Sequence, residues 1–157
     1  MKPKKQIAAI IIIIILLGIG LYSVNKSPKI EVLGAKVGLV VGYRGSIPKI
    51  EATKVINLDE GVRFGWIIIT EGIDRDISWQ EIVIFPEKPK GLVVGEDTKI
   101  SSDGKKAITK RSSSLEDGII HNVWGLDKSD PIGEYEIEVY VTGKLLKTFS
   151  FQVKKNN

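Results

Sequence analysis

Few residues in this chain are equipped for chemistry. His121 is the only histidine, and there is no cysteine. A lone imidazole can serve as a general base, but it cannot assemble a zinc site without carboxylates spaced to help it, and none are. His121 therefore reads as a strand histidine with a hydrogen-bond partner. Glu71, Asp74, Arg75 and Asp76 crowd one turn. Clustered carboxylates suit calcium, yet the D-x-[DN]-x-[DN]-G spacing is missing and Arg75 sits between the two aspartates, so a solvated turn is expected. Lys99, Lys105, Lys106, Lys110 and Arg111 form a basic stretch that could meet anionic headgroups. Glu96, Asp97 and Asp103 partly offset it, and lysines also guard sheet edges. Trp66, Trp79 and Trp124 could line a sugar platform, but each lies in an apolar run and at least two are expected in the core. No nucleophile elbow, P-loop or dinucleotide fingerprint occurs. The residues thus assign no catalytic, cofactor-binding or metal site, no cofactor, and no particular binding residue; the chain reads as a non-enzyme.

The elements that would carry such residues begin with a hydrophobic run. Ile7 to Leu17 holds nine isoleucine or leucine residues and two alanines, and the apolar character continues to Val24. A helix of that span is roughly 27 Å long at ~1.5 Å per residue, close to a bilayer's hydrocarbon thickness. Lys2, Lys4 and Lys5 precede it, against Lys26 and Lys29 beyond. This bias favours a cytoplasmic amino terminus. The expectation is a basic tail over 1–5, a transmembrane signal-anchor over 6–24, a linker over 25–34 and a β-sandwich over 35–154. The protein would be single-pass in the inner (cytoplasmic) membrane, with its domain in the periplasm or outside the cell. Cleavage before Leu21, after Gly18 and Gly20, is the alternative. The absence of cysteine excludes a lipoprotein signal.

The formal charge of +4 belongs to this N-terminal part. Residues 1–29 hold five of the 23 basic residues and no acid, which leaves 18 basic against 19 acidic in the remainder, or −1. A nucleic-acid partner loses its electrostatic footprint.

The remainder alternates like strands. Ala35, Val37, Leu39, Val41 and Tyr43 share one face, until Ser46-Ile47-Pro48 ends the run. Val62–Thr70 is apolar on both faces over Trp66–Ile69 and is expected to be a central strand; Trp79–Phe85 is similar and stops at Pro86. Polar residues follow over Gly95–Gly118, with one short strand at Lys106–Arg111, and strand character returns over Ile119–Leu126. The closing hairpin turns at Thr142-Gly143, with Tyr135, Ile137, Val139 and Val141 inward on one arm. Leu145, Phe149, Phe151 and Val153 are inward on the other, Lys147 being the exception. About seven strands and no amphipathic helix predict an all-β, antiparallel, immunoglobulin-like β-sandwich behind one N-terminal transmembrane helix. Asp130-Pro131-Ile132-Gly133-Glu134-Tyr135 has the form of a tyrosine corner, with Ile137 where an immunoglobulin domain carries its second cysteine.

Ile47-Pro48, Glu60-Gly61-Val62-Arg63-Phe64-Gly65-Trp66, Ile84-Phe85-Pro86 and the closing Gly133–Val153 hairpin resemble the bacterial domain-of-unknown-function family DUF3859. The likeness spans about residues 35–153. It departs at Phe85, where the family pattern has histidine, and at Tyr135, where it has tryptophan. The resemblance implies an envelope-associated sandwich and supplies no activity or catalytic residue.

The expected function is a non-catalytic binding or assembly module of the bacterial envelope. It would be held by its N-terminal helix and act on a protein partner. The alternative is a carboxylate-based hydrolase or carbohydrate-active enzyme on the same sandwich. A pilin-like subunit fits less well, since no glutamate stands near the start of the apolar run.

Overall fold

Alternation of apolar and polar residues becomes burial in the C-terminal hairpin. Tyr135, Ile137, Val139 and Val141 are buried, and Glu134, Glu136 and Glu138 face outward between them. A computed structural model describes residues 30–59, 61–71, 76–114 and 117–155. Among the described residues there are ten strands and no helix: β1 (Glu31–Arg44), β2 (Ile47–Ala52), β3 (Val55–Leu58), β4 (Arg63–Glu71), β5 (Asp76–Ile84), β6 (Thr98–Ile100), β7 (Lys106–Ser114), β8 (Ile119–Gly125), β9 (Gly133–Val141) and β10 (Lys144–Lys155). The expected basic tail, transmembrane segment and first part of the linker lie outside the described residues. No helix among the described residues is long and apolar enough to cross a membrane.

The strands form two sheets, β2-β1-β4-β8 and β3-β10-β9-β5-β7-β6. Their facing sides make one core. Phe64 packs on Phe151 with centroids 5.0 Å apart, Tyr135 stacks on Phe151 at 5.4 Å, and Trp66 meets Trp79 edge-on at 5.6 Å. Tyr135, Ile137, Val139, Phe149 and Phe151 are buried together as expected, and Phe64 and Trp66 both join them. β4 lies between β1 and β8, and β5 between β9 and β7, so both expected central strands are central.

Four details depart from the sequence reading. β1 starts at Glu31, inside the expected linker. A bulge between Val40 and Gly42 shifts its phase, so Val41 and Tyr43 are half exposed while Ala35, Val37 and Leu39 pack on the core. A second bulge between Leu145 and Lys147 turns Leu145 outward and lets Leu146 pack inward, which also accounts for Lys147. The sandwich is not wholly antiparallel, since β3 runs parallel to β10 with Val55 opposite Gln152. The Thr142-Gly143 turn has φ of 49° and 80°. Two left-handed residues match the twist of the flanking strands, and glycine takes the second position without a Cβ penalty.

The tyrosine corner is present. Tyr135 is buried, and its hydroxyl donates to the Pro131 carbonyl at 2.8 Å. Burial and the nearby Asp130 carboxylate both raise its pKa, so the hydroxyl stays a donor.

Candidate functional site

Period two along β5 places Ile77, Trp79, Glu81 and Val83 on the core side. Glu81 is the residue out of character, a carboxylate with no exposed surface. An isolated charge there would be prohibitive, and it is held by three N–H donors from the opposite sheet. Trp66 Nε1 donates to Oε2 at 2.5 Å. Trp124 Nε1 donates to Oε1 at 2.8 Å, and Asn122 Nδ2 donates to the same oxygen. Two of these donors come from β8, where even-numbered residues face inward, and one from β4. Glu81 therefore ties the two sheets together at a fixed register. Burial pushes its carboxyl above the usual range, while the bonds from Trp66, Asn122 and Trp124 and the Arg111 charge pull the other way.

The network runs outward through Asn122. Arg111 Nη1 donates to Asn122 Oδ1 at 2.9 Å, and Arg111 Nε donates to Asp97 Oδ2, forming an ion pair. The guanidinium also lies over the Trp79 ring, 5.7 Å from its centroid. Its hydrogen bond holds the half-exposed Asp97 below the ordinary carboxylate range. At this end the segment preceding β6 faces β8 across a groove of about 230 Å³, with Arg111, Asn122 and Trp124 on its floor. A neighbouring hollow of about 310 Å³ shares Val93, Trp124 and Gly125 and reaches Asp127 and Asp130. Trp124 thus separates two parts of one open channel beside β8, its ring pinned by Glu81.

The residues singled out from sequence are scattered by the fold. Trp66 and Trp79 are core, and only Trp124 reaches the channel. His121 lies on the outer face of β8 opposite Ile67, and its pKa is lowered by partial burial and then by Arg111. Glu71 and Asp76 are exposed at strand ends, while Asp74 and Arg75 lie outside the described residues. Strand alternation splits the basic stretch: Lys106 and Lys110 face outward, and Arg111 turns to the groove. No group of three or more potential ligands able to hold a metal ion occurs among the described residues. Sequence reasoning missed Glu81. The signal that could have found it is its phase, shared with Ile77, Trp79, Val83 and Phe85.

Residues 36–154 match the family model of the PM0630 beta sandwich domain. No curated protein matches the sequence. Among solved structures, the chain is similar to an immunoglobulin-like protein (PA1606) from Pseudomonas aeruginosa. That likeness has a TM-score of 0.54 and 17% identity, and covers 83% of this chain and 100% of that one. It is also similar to part of the Pseudomonas fluorescens alkylpurine DNA glycosylase AlkC, with a TM-score of 0.42 and 15% identity over 81% of this chain and 31% of that one. The human F-spondin reeler domain follows, with a TM-score of 0.37 and 8% identity over 76% and 88%. The first likeness establishes an immunoglobulin-like β-sandwich.

Proposed function

The chain belongs to the PM0630 beta sandwich domain family, and from that premise we propose that it is a non-catalytic binding or assembly module of the bacterial envelope, anchored by its N-terminal helix with the sandwich outside the cytoplasm. The observation that carries the reading is the closure of Glu81. Glu81, the one carboxylate lodged in the core among the described residues, has no exposed surface and both oxygens occupied, so it is offered to no substrate. Around it the fold provides a wall bonded across both sheets beside an open channel, which suits holding a partner. The motif likeness to DUF3859 and the lysine bias ahead of the apolar run support envelope placement. The −1 balance of residues 30–157 speaks for a protein partner over nucleic acid.

Two measurements test this. A reporter fused after Asn157 is expected to work only outside the cytoplasm, and a reporter active in the cytoplasm refutes the placement. Crosslinking in intact envelopes is expected to recover the chain with a stable protein partner; recovery of the chain alone refutes the binding role. The carboxylate-hydrolase alternative is favoured by one observation, a carboxyl raised by burial one residue behind a groove. Glycosidic or ester turnover that vanishes in a folded Glu81→Gln variant would establish it instead.

A further inference from the structure

Among the described residues β8 is an edge strand, with β4 as its one strand neighbour. The ladder between them shows which way its backbone points. Thr70 N donates to Gly118 O at 2.9 Å, and Leu126 N donates to Val62 O at 2.8 Å. In an antiparallel pair the hydrogen-bonded positions recur at every second residue. Positions 118, 120, 122, 124 and 126 are therefore turned to β4. The N–H and C=O groups of Ile119, His121, Val123 and Gly125 turn to the open side. Among the described residues no backbone bond outside the ladder reaches them.

The other sheet edges are guarded in ways that natural edges commonly are. β2 carries Pro48 and Lys49 and pairs across a bulge. β3 has four residues, and β6 has three with Lys99 among them. β8 has seven residues, no charge, no proline and no register shift. The channel described above runs beside this edge, with the segment over residues 91–98 as its other wall.

We propose that the open edge of β8 binds an extended segment of a partner protein as a fifth strand of the four-stranded sheet. The proposal rests on the binding-module reading and specifies its mode. Backbone groups of Ile119, His121, Val123 and Gly125 supply the pairing. One set of partner side chains continues the outer face beside His121 and Val123. The other set enters the channel beside Trp124 and Arg111. Asp97 already neutralises Arg111, so the segment that fits is uncharged and rich in β-branched residues. A second copy of this chain fits less well. A two-fold pairing of β8 edges would put both 91–98 segments on the same side of the joined sheet, whereas a single peptide meets only one.

The test uses the full chain in detergent and an acetylated, amidated Thr-Val repeat of the same length as β8. Binding is read by tryptophan fluorescence and calorimetry. Saturable binding is expected, weakened at least about tenfold when Val123→Pro removes a donor from the open side without touching the β4 ladder. N-methylating alternate peptide amides is expected to weaken it equally, and this arm decides alone where Val123→Pro does not fold. Absence of saturation below about 1 mM overturns the proposal. Undiminished binding by the N-methylated peptide, or by a folded Val123→Pro variant, also overturns it. So does displacement of the peptide by a chitin oligosaccharide, or a dimer in sedimentation that dissolves in Val123→Pro. A crosslinked envelope partner that persists in Val123→Pro would sink strand addition while leaving the binding module standing.

Discussion

Replacing Glu81 with glutamine changes one oxygen to an NH₂ group and leaves the volume of the side chain intact. Oε1 accepts from Asn122 and Trp124, and Oε2 accepts from Trp66. The amide oxygen can replace Oε1, which brings its NH₂ against Trp66 Nε1–H, donor to donor. Trp66 has no exposed surface, so water cannot take over the acceptor's role. One unsatisfied buried donor costs about 1–3 kcal/mol, and removing a buried charge returns part of that, so a net loss of about 1–2 kcal/mol is expected. Urea unfolding followed by tryptophan fluorescence measures it through the midpoint at unchanged slope.

A pH series on the same two proteins sharpens the test. Burial raises the Glu81 carboxyl above its unfolded value, so the folded chain holds more protons between the ordinary carboxylate range and the raised value. Stability from this group is then greatest at low pH and is lost as pH rises through that window. The Glu81→Gln variant lacks this component. A wild-type stability that rises with pH there, relative to the variant, would mean that the three donors outweigh desolvation. A variant as stable as the wild type would mean that the carboxylate does not tie the sheets together.

Two further predictions concern the core. Phe149→Ala or Phe151→Ala is expected to cost about 3–5 kcal/mol in denaturant unfolding, since both rings are buried among other aromatics, and losses below about 1 kcal/mol for both would contradict the assigned inward face of β10. Tyr135→Phe removes only the bond to the Pro131 carbonyl and is expected to cost about 1 kcal/mol, with the midpoint as readout; an unchanged midpoint would make the corner ornamental.

The elements whose side chains strictly alternate were legible in advance. Tyr135 to Val141, the Thr142-Gly143 turn and the central run at Trp66 lie where alternation and turn chemistry put them. The bulges after Val40 and Leu145 were not, because one inserted residue reverses the phase without altering local composition. β2 escaped notice because Pro48 reads as a breaker, β3 because its four residues take their register from distant β10, and β6 because it has only three residues. The Glu81 network was illegible for a related reason. Its donors come from Trp66, Asn122 and Trp124, which only sheet stacking brings to β5. A single glutamate in an apolar strand announces itself by phase, but nothing local names what satisfies it.

The placement of the last two strands has a consequence for how the chain acquires its structure. β9 and β10 are made after the other eight strands, yet they lie between β5 and β3 in the six-stranded sheet. Until they emerge, β3 has no strand beside it, and β5 has only β7. Val55 waits for Gln152, and Ile84 for Glu136. Such long-range closures are slow, and here they wait for the hairpin. The larger sheet is therefore completed only after β10 has been made, whereas the four-stranded sheet, whose strands all precede β9, does not wait for it.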